Sequence, residues 1–177
     1  GELQEISEAY SPNQSMESYL ERIYKKTGSL FTTAGESGAI LSGASESVCQ
    51  ALKMYGYNIS MAFQIVDDIL DLDGDQLEIG KPIGNDLAHG IITLPAILLI
   101  EKYPRDNPVI KLMKDPQNAR YLDQSVDMIR NSSIIRDSYS IAKSYCNDAL
   151  NQLQVLPKIS YRNSLESLVE YVVKRRN

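Results

Sequence analysis

The sequence predicts an all-α domain, and three observations carry that prediction. Apolar residues recur at helical spacing through most of the 177 residues. No run alternates with the period of a strand, and no internal repeat, heptad run or low-complexity tract interrupts the pattern. Gly74, Gly80, Pro82 and Gly84, and later Pro104 and Pro108, punctuate the periodic segments as helix breakers. With 43% hydrophobic and 23% charged residues, the chain carries one globular domain's worth of core.

The first long helix is expected from Ser15 to Leu41, with Leu20, Ile23, Tyr24, Leu30, Phe31, Ala34 and Ala39 in helical register and Ser15, Ser18 and Glu21 at its start. It is rich in small residues, Gly28, Ala34, Gly35, Gly38, Ala39 and Gly43. Each interior glycine costs up to about 1 kcal/mol of helix stability, so close helix packing or room for a ligand must gain from them. A second helix is expected from about Ser45 to Leu72, with a wide apolar stripe through Val48, Leu52, Tyr55, Ile59, Ala62, Val66 and Ile69. "DGDQLEIGKPIGND" breaks it at Gly74, Gly80, Pro82 and Gly84. A third helix, "LAHGIITLPAILLIEKY", would be capped by Asp86 and ended by Pro104 and Pro108. Beyond Pro116 the amphipathic segments "ARYLDQSVDMIRNS", "IIRDSYSIAKSYCNDALNQLQVL" and "SYRNSLESLVEYVVKRR" complete the chain.

The bulk numbers exclude several classes of function. A net charge of −5 opposes nucleic-acid binding, which needs a basic face to neutralise phosphates. Two cysteines, Cys49 and Cys146, in no metal-like spacing indicate neither a disulfide framework nor zinc, so a reducing, cytoplasmic setting is expected. The most apolar stretch, Ile91 to Ile100, falls far short of the roughly 20 residues of a membrane-spanning helix. "GELQEISEAY" has no basic or apolar signal-peptide region. Gly1 in place of an initiator methionine points to a fragment or a processed piece.

The end of the second helix carries the chemistry. At 3.6 residues per turn Asp67 and Asp71 lie one above the other, with Asp68 beside them and Gln64 a turn earlier. Like charges at this spacing repel by about 0.2–0.5 kcal/mol, and acids near a helix C-terminus face the unfavourable end of its dipole. Local physics opposes the patch, so a compensating cation is expected. Clustered hard oxygens suit Mg²⁺, which keeps several waters and takes one or two carboxylates together with substrate phosphates. The plain alternative is a solvated acidic face, but Phe63, Ile65, Val66, Ile69, Leu70 and Leu72 cover much of the helix around the acids and argue for a polar cleft. An EF-hand fails on register: counted from Asp71, Gly74 is fourth where the loop needs glycine sixth, and Pro82 stands twelfth in place of glutamate. "GKPIGND" is not a P-loop, because no GxxxxGK[ST] spacing surrounds its lysine.

Taken together, "FQIVDDILDLDGDQLEIGKPIGNDLAHGIITLP" resembles the second aspartate-rich region of the trans-isoprenyl (polyprenyl) diphosphate synthases. The family pattern, FQxxDDxxD, then GKxxGxDL, then TLP, is matched at Phe63, Gln64, Asp67, Asp68, Asp71, Gly80, Lys81, Gly84, Asp86, Leu87, Thr93, Leu94 and Pro95. "YLERIYKKTGSLF" resembles the family's lysine-threonine motif at Lys26 and Thr27, "GELQEI" resembles the helix before it, and the GKPxG spacing resembles medium- and long-chain members.

The resemblance implies an isoprenoid-synthase-type helical bundle, of which this chain would be the C-terminal half, residues 1–177 forming one all-α unit. It implies a Mg²⁺-dependent prenyltransferase that joins an allylic prenyl diphosphate head-to-tail to isopentenyl diphosphate, and a homodimer when full-length. Asp67, Asp68 and Asp71 would hold metal; Lys26, Thr27, Gln64 and Lys81 would bind substrate; Asp67, Asp71 and Lys26 would serve the chemistry; Asp86 would orient the Lys81 loop or cap the next helix. The first aspartate-rich motif and the isopentenyl-binding cations of the family have no counterpart here, His89 falls elsewhere, and Ile91 replaces a basic residue common in the family. The chain alone is therefore expected to be inactive. A terpene cyclase on the same fold would carry an NSE-type motif in place of DDxxD, and a non-catalytic partner subunit would have no use for the carboxylate patch. The terminal "VVKRR" reads as a solvated helix end or a contact for anionic lipid.

Overall fold

The computed structural model describes residues 1–74 and 82–175, and every regular element among them is helical. In chain order these are α1 (Glu2–Glu8), α2 (Met16–Ile23), a π-turn (Tyr24–Gly28), α3 (Ser29–Leu41), α4 (Glu46–Asp73), α5 (Asn85–Ala88), α6 (Leu94–Lys102), α7 (Pro108–Lys114), α8 (Ala119–Arg130), α9 (Ile134–Gln152), a 3₁₀ turn (Leu153–Val155) and α10 (Ser160–Lys174). The all-α prediction holds. The described residues divide into two compact units, one of residues 1–22 and 67–139, the other of residues 23–66 and 140–175.

In the first unit, the Ser15 hydroxyl accepts from the Ser18 amide at 3.1 Å, which caps α2 as its sequence predicts. Arg22 is 2% exposed and anchors α2. Its guanidinium pairs with Glu8 at 3.0 Å and donates to Gln14 Oε1 at 2.6 Å and to the Ile92 carbonyl at 2.6 Å. A buried arginine is tolerable only when its donors are satisfied in this way. Burial raises the Glu8 pKa, but the hydrogen bonds from Gln4 and Ser18 and the charge of Arg22 outweigh it, so the carboxyl sits below its ordinary value.

The predicted third helix is two pieces. A short α5 ends at Ala88 with His89 as its C-cap, Gly90 takes φ +77°, and α6 begins only after an extended Thr93. Gly90 has to be glycine twice over, because a Cβ there would fall 2.6 Å from the Tyr10 ring. Asp86 lies inside the first turn of α5, whose N-cap is Gly84, so the expected aspartate cap is a glycine cap. Nor does Pro108 end a helix: it opens α7 at the first helical position, where its missing N–H costs nothing. Asn107 caps α7 through Val109 N at 2.9 Å while its amide donates to the carbonyls of Leu99 and Tyr103. Helices α6, α7 and α8 pack on one another around Leu94, Leu99, Val109, Leu112 and Ile129.

In the second unit, α3 and α4 meet backbone to backbone. A Cβ on Gly35 would overlap the Leu52 carbonyl, and one on Gly56 would overlap the Phe31 carbonyl. Close helix packing therefore explains Gly35, while a Cβ on Gly38 would meet nothing within 4 Å. Arg162, also buried, pairs with Glu166 within α10 at 2.8 Å and ties the helix to the turn before it through the Leu156 carbonyl at 2.9 Å and Gln154 at 3.1 Å. Tyr55 donates to the Leu165 carbonyl at 2.9 Å, and burial pushes its pKa up to about 12.

Candidate functional site

Helix α4 runs to Asp73, one residue past the end the sequence predicts, and presents the three aspartates in its last two turns. They are not equivalent. Asp67 is exposed and Asp71 half-buried, whereas Asp68 is 5% exposed. The Asp68 Oδ2 accepts a 2.7 Å hydrogen bond from the hydroxyl of Tyr19, itself fully buried. Asp71 receives the returning chain: its carbonyl accepts from Gly84 N at 2.8 Å and its Oδ2 from Asp86 N at 3.2 Å. Gly84 holds φ +72°, a left-handed conformation that glycine adopts without strain, and this brings both amides to one residue. Asp86 thus meets the acidic helix through its backbone.

Sequence reasoning missed Arg130. Its Nε donates to the Leu72 carbonyl at 2.6 Å and its Nη2 to the Gly74 carbonyl at 3.0 Å. A guanidinium on the last carbonyls of α4 offsets the negative dipole end that the aspartates crowd. An arginine in an amphipathic segment some sixty positions downstream gives no sequence signal of that role. Lys81, the expected diphosphate-binding lysine of the connecting loop, lies outside the described residues.

Among the described residues no three His, Cys, Asp or Glu side chains converge as a ready-made metal site. The arrangement instead provides a carboxylate pair, Asp67 and Asp71, one turn apart on the outer side of α4, with Asp68 turned inward to Tyr19. Two hard oxygen ligands fit Mg²⁺, which fills its remaining positions with water and phosphate oxygen.

The lysine-threonine motif lies in the second unit, on the π-turn Tyr24–Gly28 that divides the expected long helix into α2 and α3. Such turns are uncommon and concentrate at functional sites. The sequence gives no sign of it beyond Gly28, where a Cβ would come within 2.8 Å of the Tyr24 ring. Lys26 is exposed on this turn, and Thr27 Oγ1 donates to Gln64 Oε1 at 3.0 Å. Two residues singled out from separate motifs are thereby brought together. Next to Gln64, the Phe63 ring lies 4.5 Å from the Arg175 guanidinium, so the basic terminus is engaged by an aromatic face. Burial pushes the Cys146 thiol up to about 11, which removes it as a nucleophile at neutral pH.

Residues 1–129 match the family model described as Polyprenyl synthetase. The chain belongs to the polyprenyl synthetase family. Heptaprenyl diphosphate synthase component 2 of Bacillus subtilis (strain 168) is 35% identical over 176 residues, 99% of this chain and 50% of that protein. A prenyl transferase of Synechocystis is 37% identical over 175 residues, 99% of this chain and 54% of its own. Among solved structures, heptaprenyl diphosphate synthase from Staphylococcus aureus superposes with a TM-score of 0.93 at 33% identity, covering 99% of this chain and 55% of that one. A Caulobacter crescentus polyprenyl synthase complexed with calcium and isoprenyl diphosphate superposes at 0.89 and 31% identity, covering 99% and 55%. The fold is the all-α fold of this family of medium- and long-chain prenyl synthases, and the chain spans about half the length of the relatives it matches. Among the described residues no helix is long and apolar enough to cross a membrane.

Proposed function

We propose that the protein is a trans-polyprenyl diphosphate synthase that condenses an allylic prenyl diphosphate with isopentenyl diphosphate, and that the present chain carries the second of two aspartate clusters. The observation that carries this reading is the Asp67 and Asp71 pair, held a turn apart at the crowded negative end of α4 with the Gly84 to Asp86 loop docked on Asp71. Asp67 and Asp71, with Asp68 behind them, are the residues to hold Mg²⁺. When bound, the metal supplies positive charge that offsets the departing diphosphate. Lys26 and Lys81 bring point charges to diphosphate oxygens. Thr27 and Gln64, already bonded to each other, position the allylic group.

Because the sequence carries no second DDxxD and spans about half of its relatives, we propose that the 177 residues alone do not catalyse condensation. The acidic composition and two unpaired cysteines support a cytoplasmic setting with no nucleic-acid partner. The component 2 in the name of the Bacillus relative supports assembly with a partner subunit, and the family resemblance supports a homodimer for the full-length protein.

The test has two parts. Mn²⁺, as a spin-active substitute for Mg²⁺, is titrated into the chain with inorganic pyrophosphate present. Binding that disappears in the Asp67→Asn/Asp71→Asn double variant is expected, and binding equal to the unsubstituted chain overturns the metal assignment. Radiolabelled isopentenyl diphosphate with farnesyl diphosphate should give no longer product, and elongation by the chain alone overturns its proposed inactivity.

A further inference from the structure

We infer that Tyr19 is a positioning residue for the carboxylate cluster: its hydroxyl holds Asp68 against the buried side of α4, so that Asp67 and Asp71 form the ligating pair. This rests on the metal reading proposed above.

The phenol is held by contacts that do not involve the carboxylate. Tyr19 and Arg22 are one turn apart on α2, the guanidinium carbon of Arg22 lies 5.8 Å from the Tyr19 ring centroid, and Arg22 is itself locked by Glu8, Gln14 and the Ile92 carbonyl. Tyr19 is wholly enclosed and its hydroxyl requires a partner. Asp68 Oδ2 provides it at 2.7 Å, a well-formed hydroxyl hydrogen bond.

Stability alone gives a poor reason for this pair. Burying a carboxylate is costly, and two apolar side chains of the same shape would serve the core at least as well. The costly pair sits beside Asp67 and three residues from Asp71, where it sets which way one member of the cluster faces. Outer partners that orient metal-binding side chains are worth about 10–100-fold in affinity.

Mn²⁺ affinity of the 177-residue chain, measured by electron paramagnetic resonance with inorganic pyrophosphate present, tests the inference. Tyr19→Phe is expected to weaken Mn²⁺ binding about 10-fold. Tyr55→Phe, which deletes the hydroxyl that serves the Leu165 carbonyl, should leave it unchanged. In an Asp68→Ala background Tyr19→Phe should have no further effect, because the phenol acts through that carboxylate. Unaltered affinity in Tyr19→Phe, or losses that multiply in the double variant, overturn the inference. Asp67→Asn tests the parent reading separately: if it binds as the unsubstituted chain does, the metal site is wrong whatever Tyr19 does. Should Tyr19→Phe fail to fold, Asp68→Asn decides, since it keeps an acceptor for the phenol. It is expected to lose far less affinity than Asp67→Asn, and an equal loss overturns the inference.

Discussion

Asp71 receives the returning loop at two atoms, its Oδ2 from the Asp86 amide at 3.2 Å and its carbonyl from the Gly84 amide at 2.8 Å. The loop end is thereby registered on one of the proposed ligands, and Gly84 permits it. Gly84→Ala forces a left-handed Cβ to within 3.0 Å of Val126 Cγ2 and 3.3 Å of Leu122 Cδ1. Urea unfolding should show a loss of about 2 kcal/mol, from the left-handed strain and the crowding together.

Arg130 bonds the carbonyls of Leu72 and Gly74. Arg130→Met keeps the stem and deletes both bonds. It is expected to cost about 1–2 kcal/mol, and hydrogen exchange should speed up at the last amides of α4 more than in α8. Uniform exchange across both helices would remove Arg130 as the cap.

The Glu8 and Arg22 pair makes stability depend on pH. The Glu8 pKa lies below its ordinary 4.5 in the folded chain, so the pair contributes fully above that value and is lost as pH falls through the folded pKa. Glu8→Gln should destabilise by about 2 kcal/mol near neutrality, because Arg22 stays buried without its counter-ion. The gap between variant and parent should close in acid. A gap constant from pH 7 to pH 3 would exclude the linkage.

Gly35 and Gly38 lie one turn apart on α3 yet predict opposite outcomes. Gly35→Ala drives a methyl into the Leu52 carbonyl and should cost on the order of 1–3 kcal/mol or more. Gly38→Ala meets open space and should stabilise by about 0.5–1 kcal/mol through helix propensity. Paired thermal melts of the two variants check both.

The long helices were legible because their signals are local. The 3.6-residue apolar stripe, Ser15 at the start of α2 and the Gly74 to Gly84 punctuation act over a few residues, and α4 ends within one residue of its expected end. The same reasoning failed where a choice depended on something distant. "LAHGIITLPAILLIEKY" is continuous in apolar pattern, and Gly90 breaks it because Tyr10, eighty positions earlier, occupies the space a Cβ would need. The π-turn at Lys26 and Thr27 follows no spacing rule, and Arg130 carries no mark of the helix it caps.

The sequence by itself determined the all-α class, the place of the acidic cluster at the close of a helix, and the polyprenyl synthetase family, because periodicity and motif spacing are written in adjacent residues. Only the tertiary structure decided which aspartate faces inward, that Thr27 meets Gln64, and that Arg22 and Arg130 anchor the helices around the site. Those are through-space pairings, governed by burial: a polar group taken out of water must find its partner wherever the fold brings one.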